Sequence, residues 1–168
     1  MTLTTHAIVG VAAARLFPAH PVIAFTAAFA SHFLIDAIPH WDYHLHSSRV
    51  NEHDPLDKDM EVGGLDFYLD LLKIGFDICI GLLLSYLIFY PSNAEALTLV
   101  AIGAIGGILP DPLQFLYFKY RKEPMITLQR FHDWIHTDIK LRGRWIIGPL
   151  LQFFMVYTLV SISFLILP

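Results

Sequence analysis

Residues 31–44 read SHFLIDAIPHWDYH and join the end of an apolar segment to a group of imidazoles and carboxylates. His32 and Asp36 are four residues apart, so on a helix they lie one turn apart on the same face. His40 and Asp42 follow a proline at which the chain leaves that helix. Because ionisable side chains at the edge of a bilayer are costly, their presence there usually marks a functional site.

Two further clusters also place imidazoles or carboxylates beside an apolar segment. The stretch GILPD ends a glycine-rich apolar segment with Asp111, and the stretch FHDWIH contains His132 and His136 at the same i, i+4 spacing. Imidazoles and carboxylates are together the ligands of zinc and related divalent metals, and paired histidines one helical turn apart are a recurrent zinc arrangement. The three clusters therefore predict a metal site.

Long apolar segments surround the clusters. Apolar residues make up 55% of the 168 residues, above the roughly 45–50% of a soluble domain. The apolar segments are 7–17, 21–38, 65–90, 94–109 and 145–167. About 20 apolar residues cross a bilayer, so the first and fourth segments are short, and the first is either a crossing, a partly buried helix or a re-entrant segment. We predict one domain over 1–168, an all-α integral membrane bundle of about four to five membrane helices.

Charge gives the predicted orientation. A polar loop covers 39–63, and a basic and aromatic stretch covers 112–144. The cations that precede the last apolar segment are Lys119, Arg121, Lys122, Arg130, Lys140, Arg142 and Arg144. The positive-inside rule places this stretch in the cytoplasm, and five crossings then place the N-terminus and the polar loop there as well. All three clusters fall at the cytoplasmic face in this topology.

The predicted site residues fall into three groups. The metal ligands are His6, His32, Asp36, Asp111, His132 and His136, with His40, Asp42 and Asp70 as possible additional ligands. The candidates for general base are Asp77 and Asp133. The cations that would bind an anionic headgroup are Lys119, Arg121, Lys122 and Arg130, although membrane topology alone also explains their position.

The third apolar segment begins with a polar stripe that has two interpretations. Asp66, Asp70, Lys73 and Asp77 follow one another at spacings of four, three and four residues, and so share one face of a helix. Lys73 can neutralise Asp70 or Asp77 inside the bundle. Alternatively, Asp70 or Asp77 is a metal ligand or a base, and Asp77, as the deepest member, most needs a partner.

These motifs resemble those of the small bacterial membrane-bound metal-dependent hydrolases, the YdjM-like group, which is distantly similar to zinc-dependent phospholipase C. The resemblance is carried by four elements, namely His6 before a small-residue helix, Ser31-His32-x-x-x-Asp36, Leu109-Pro110-Asp111 and His132-x-x-x-His136. It implies a helical fold in the bacterial inner membrane with a centre of two or three metal ions, commonly zinc. The same histidines and aspartates would be its ligands.

The sequence thus predicts a membrane-bound metal-dependent hydrolase. Its expected substrate is a phosphoester, such as a phospholipid, attacked by a metal-activated water. Zinc is the expected metal, with manganese or magnesium as the other options, and nucleic acid is not an expected partner. Two alternatives stay open: a transporter for divalent metals or protons, and a non-catalytic membrane scaffold with a structural metal site.

Overall fold

A computed structural model describes residues 1–51, 54–139, 141 and 143–167, so Lys140 and Arg142 of the basic stretch lie outside the described residues. The described part is mostly helical, as predicted. Its elements are α1 (Leu3–Ala14), α2 (Pro21–Asp36), β1 (Ser48–Asn51), β2 (Asp54–Met60), α3 (Gly64–Phe89), α4 (Ala94–Ile108), α5 (Pro110–Lys119), α6 (Met125–Ile135) and α7 (Ile147–Ile166).

Helix α1 lies at the centre of the bundle. It packs against α2, α3, α4 and α7, and nearly all of its residues are buried. Its short apolar side chains form the main hydrophobic core with α4, which includes Ala7, Val11, Val100 and Ala104. The side chains of this helix contact other helices instead of solvent or lipid.

Glycines allow α1 and α4 to touch backbone to backbone. A Cβ atom on Gly10 would overlap the carbonyl oxygen of Gly103, and a Cβ atom on Gly107 would overlap the carbonyl oxygen of His6. Small residues at such crossings let membrane helices approach closely. The contact places His6 beside the end of α4, a few residues before Asp111.

Within the described part of the chain, two helices are long and apolar enough to cross a membrane. They are α3, with 26 residues, and α7, with 20 residues, and each exposes most of its apolar surface. Helices α4 and α5 make a third crossing if they count as one span, although they are bent by 45° at the break between them. Length and composition therefore give two or three spans, and the predicted four to five would require the shorter helices α1 and α2 to cross as well.

The predicted polar loop at 39–63 contains an antiparallel hairpin. Strands β1 and β2 pair with Ser48 opposite Met60, and the hairpin lies against α5 and α6. The Tyr117 hydroxyl donates to the Leu56 carbonyl at 2.7 Å, and the Lys119 ammonium donates to the Met60 carbonyl at 2.8 Å. The hairpin is thus attached to the beginning of the basic stretch.

We expect Gly107→Ala to destabilise the bundle, because its new Cβ atom would collide with the backbone of His6. Overpacking of this kind typically costs about 1–3 kcal/mol. The measurement is the thermal unfolding midpoint in detergent. Gly75→Ala is the matched control, since a Cβ atom there meets nothing within 4 Å. Equal midpoints for the two variants would contradict the proposed contact between α1 and α4.

Candidate metal centre

The carboxylate of Asp36 is the centre of the His/Asp cluster. It is 1% exposed at the last position of α2. Four imidazole Nε2 atoms surround it, from His6 at 3.3 Å, His32 at 3.2 Å, His40 at 3.8 Å and His132 at 3.2 Å. The amino group of Met1 also lies 3.2 Å from Asp36 Oδ1. Residues that are far apart in the sequence therefore converge on one buried carboxylate.

Backbone carbonyls fix the protonation of three of the histidines. His32 Nδ1 is 2.8 Å from the Gly107 oxygen, His40 Nδ1 is 2.8 Å from the Ile38 oxygen, and His136 Nδ1 is 3.0 Å from the Thr137 oxygen. A carbonyl only accepts, so each Nδ1 carries the hydrogen and donates it. In the neutral ring, Nε2 then presents a lone pair, which is the arrangement that second-shell partners impose on metal-ligating histidines.

The buried nitrogens that point towards Asp36 lack sufficient protein partners. Among the described residues, His32 Nε2 and both ring nitrogens of His6 are buried without a hydrogen-bond partner. The two rings stack with their centroids 3.8 Å apart, and both side chains are 0% exposed. Since unsatisfied buried polar atoms are costly, their concentration around one carboxylate fits a site that holds a cation.

Among the described residues, the possible ligand atoms form two groups that share Asp36. One consists of His32, Asp36, Asp111 and His132, and the other of Asp36, His40 and His136. Within each group the ligand atoms lie within 4.8 Å of one another. A carboxylate has two oxygens and can serve two ions, so this geometry fits one or two divalent metals. His6 lies outside both groups but contacts Asp36 directly.

Each group has one member that is more accessible to solvent than the others. His32, Asp36 and His132 are buried, whereas the Asp111 side chain is 31% exposed and His136 is partly exposed. Burial lowers the pKa of His40 to about 4 and also lowers the pKa of His136. Both rings are therefore neutral at pH 7, as metal ligation requires.

The contacts of Asp77 are those of a helix cap. Its two carboxylate oxygens accept from the backbone N–H groups of Leu3 at 2.7 Å and Thr4 at 3.1 Å, and from the Thr4 hydroxyl at 2.6 Å. A carboxylate at a helix N-terminus satisfies unpaired donors and interacts favourably with the helix dipole. These contacts favour a role in holding α1 over the role of general base that the sequence suggested.

Asp70 belongs to a different hydrogen-bond network from the His/Asp cluster. It accepts from the backbone N–H and the hydroxyl of Ser47, both at 2.8 Å, and from the Lys73 ammonium at 2.9 Å. This is the internal ion pair that the spacing of Asp70 and Lys73 allowed. Neither group of possible ligands includes Asp70 or Asp42.

The second candidate for general base, Asp133, is paired with a cation. Lys58 of the hairpin contacts its Oδ1 atom, and the Gln129 amide donates to its Oδ2 atom at 3.0 Å. The Gln129 Nε2 atom also donates to Gln114 Oε1 at 3.4 Å, and the Gln114 Nε2 atom donates to Asp111 Oδ1 at 3.1 Å. Asp133 thus begins a chain of hydrogen bonds that leads to a candidate ligand.

The sequence analysis did not identify Gln129 or Gln114, the two glutamines of this series of hydrogen bonds. Gln129 is 1% exposed on α6, three residues before His132, and Gln114 follows Asp111 by three residues on α5. The i, i+3 spacing of each glutamine to a predicted ligand was visible in the sequence. What the sequence did not show is that the two helices would face each other.

The four predicted headgroup cations separate into two pairs. Lys119 donates to Asp59 at 2.8 Å, and the Arg121 guanidinium lies 3.5 Å from Asp57, so both attach the hairpin. Lys122 and Arg130 are exposed. The contacts therefore favour a structural role for the first pair, while a headgroup role for the second pair stays a prediction.

No protein-family model, curated protein or solved structure matches this chain.

We expect the purified protein to bind divalent metal through Asp36. Asp36→Ala should lose all bound metal, because both groups of ligands contain this carboxylate. His32→Ala and His136→Ala should each lose the metal of one group only. The measurement is metal content per chain by mass spectrometry after detergent purification.

His20→Ala is the matched control, because this exposed histidine precedes α2 at the opposite end of that helix from Asp36. Full metal retention in Asp36→Ala, or an equal loss in His20→Ala, would contradict the assignment of the centre.

Proposed function

We propose that this chain is a membrane-bound metal-dependent hydrolase that cleaves a phosphoester at the cytoplasmic face of a bacterial inner membrane. One observation carries the proposal: two groups of imidazole and carboxylate ligands share the buried Asp36 at one end of the bundle. The resemblance to the YdjM-like hydrolases, which rests on the same residues, agrees with it.

The ligand chemistry supports zinc as the resident metal. His32, His132 and two carboxylates would hold one ion, and His40, His136 and the shared Asp36 would hold the other. Imidazole together with carboxylate suits zinc, while manganese is the nearest alternative. When bound, such a metal lowers the pKa of a water towards neutrality and stabilises negative charge on a phosphoryl oxygen.

The protein's own residues supply orientation around the metals. Backbone carbonyls fix the rings of His32, His40 and His136, and Gln114 holds Asp111. Second-shell contacts of this kind keep ligands in one rotamer and tautomer. The more exposed side of the centre, at Asp111 and His136, supports access for a substrate.

The membrane setting supports a lipid-like substrate. Helices α3 and α7 expose apolar surface along their lengths, and Trp134 and Trp145 are 79% and 73% exposed near the end of the bundle that carries the cluster. Tryptophan is enriched at the membrane–water interface, where its ring is partly apolar and partly polar. Lys122 and Arg130 would attract an anionic headgroup to the same face.

A structural metal site is the second candidate, and one observation favours it. The ligands come from α2, the segment that follows it, α5 and α6, so a metal would link separate parts of the chain. Structural metals contribute folding energy in this way. In that case, chelation would lower the unfolding temperature while hydrolysis would be absent from the metal-loaded protein.

We expect zinc-loaded protein to hydrolyse bis(p-nitrophenyl) phosphate or phospholipid in phosphatidylglycerol and phosphatidylethanolamine vesicles. Chelation with EDTA should abolish the activity, and added zinc should restore it. Asp36→Ala should lower the rate by about 100-fold or more, because a metal supplies several kcal/mol of transition-state stabilisation. The readouts are nitrophenolate release and headgroup or phosphate release. Unchanged activity in Asp36→Ala would refute the proposal, and His20→Ala should keep the wild-type rate.

A further inference from the structure

A narrow slit runs between α5 and α6 beside the metal centre. Its wall is apolar at Leu113, Met125 and Leu128, and polar at Gln114, Gln129 and His132. The slit is partly open to the surface and is too narrow to hold a water molecule. His132 is thus common to the slit and to the centre, and Pro110 of the slit directly precedes Asp111.

Gln129 brings an unused hydrogen-bond acceptor to this slit. The residue is 1% exposed, and among the described residues its Oε1 atom is buried without a partner. Its Nε2 atom already donates to Asp133 at 3.0 Å, so the orientation of the amide is fixed. An acceptor buried without a partner costs free energy, and a ligand that brings an O–H or N–H group would remove that cost.

The surroundings of α6 indicate where such a ligand comes from. Phe131 and Trp134 are 41% and 79% exposed on the helix that carries Gln129 and His132. Exposed aromatic residues on an amphipathic helix are typical of a helix that lies in the membrane interface. The apolar wall of the slit therefore lies within reach of lipid chains, whereas its polar wall borders the metal centre.

We propose that the slit between α5 and α6 is the substrate pocket of the centre. It takes a membrane amphiphile that has one alkyl chain, with a hydroxyl or amide N–H group next to the phosphoester. The chain lies along Leu113, Met125 and Leu128, the donor binds Gln129 Oε1, and the phosphoester lies towards His132. The slit is narrower than a water-sized sphere, so the flexible side chains of Met125 and the leucines move aside on binding. This assignment rests on the proposed function, because it names the substrate class of that centre.

The test is photo-crosslinking of zinc-loaded protein in phosphatidylethanolamine nanodiscs. The probe is 1-acyl glycerol 3-phosphate with a diazirine in its acyl chain, and crosslinked peptides are mapped by mass spectrometry. We expect crosslinks on the apolar wall of the slit, at Leu113, Met125 and Leu128. Leu128→Trp, or Met125→Trp if the first variant fails to fold, should reduce them by about fivefold or more, because the indole fills the slit. Leu116→Trp is the control, since Leu116 is 39% exposed on α5 and outside the slit wall.

A second comparison tests the role of Gln129. The wild type should prefer the probe to its 2-deoxy analogue by about five- to tenfold, the effect of one hydrogen bond. Gln129→Leu should remove this preference while it keeps the metal content of the wild type. A purely structural role for Gln129 would leave the preference unchanged, and that result would overturn its assignment.

Three results would overturn the pocket itself. They are crosslinks confined to α3 and α7, equal crosslinking in Leu128→Trp and Leu116→Trp, and competition by glycerol 3-phosphate as effective as that of the acylated compound. Crosslinking does not require hydrolysis. A metal-loaded, active protein without slit crosslinks would therefore refute this pocket alone, whereas slit crosslinks in an inactive protein would refute the hydrolase and leave the pocket as a lipid site.

Discussion

Compensation of the buried Asp36 carboxylate is the constraint on which the rest of the structure depends. A carboxylate with 1% exposure has lost its water, and it needs positive charge or donated hydrogen bonds in return. The Met1 amino group lies 3.2 Å from Asp36 Oδ1, whereas three nearby neutral rings cannot donate to Asp36, because their Nδ1 hydrogens are bound to backbone carbonyls. Their Nε2 lone pairs and the carboxylate oxygens repel one another unless a cation lies among them, so the cluster could hold a metal ion.

Helix packing brings the imidazoles and the Asp36 carboxylate close together. The backbone contact between α1 and α4 at Gly10, Gly103 and Gly107 leaves no room for side chains. Helix α4 also packs against α2, where the Gly107 carbonyl lies 2.8 Å from His32 Nδ1. Glycine at 107 therefore serves both the close crossing and the tautomer of a candidate ligand. The contacts of Asp77 with the beginning of α1 hold that helix in register with α3.

The sequence predicted what depends on local spacing and missed what depends on tertiary contacts. The long apolar segments predicted the helical class, and the topology set by lysines and arginines placed His32, Asp36, Asp111, His132 and His136 at one face. The hairpin was missed because a short, polar antiparallel pair has no strong apolar alternation. Asp77 is one of two candidates for general base in the sequence because its depth is visible there, whereas its partners at Leu3 and Thr4 lie more than 70 residues away in the chain.

The hydrogen-bond chain beside the centre shows how the protein limits the charge near its ligands. Lys58 compensates Asp133, so this partly buried pair adds no net charge near the ligands. Two neutral amides, Gln129 and Gln114, then extend the chain from Asp133 to Asp111. A cation in place of either glutamine would compete with a metal for Asp111, and an anion would repel the carboxylate. Neutral amides orient Asp111 without either cost, and through Lys58 they connect the hairpin to the centre.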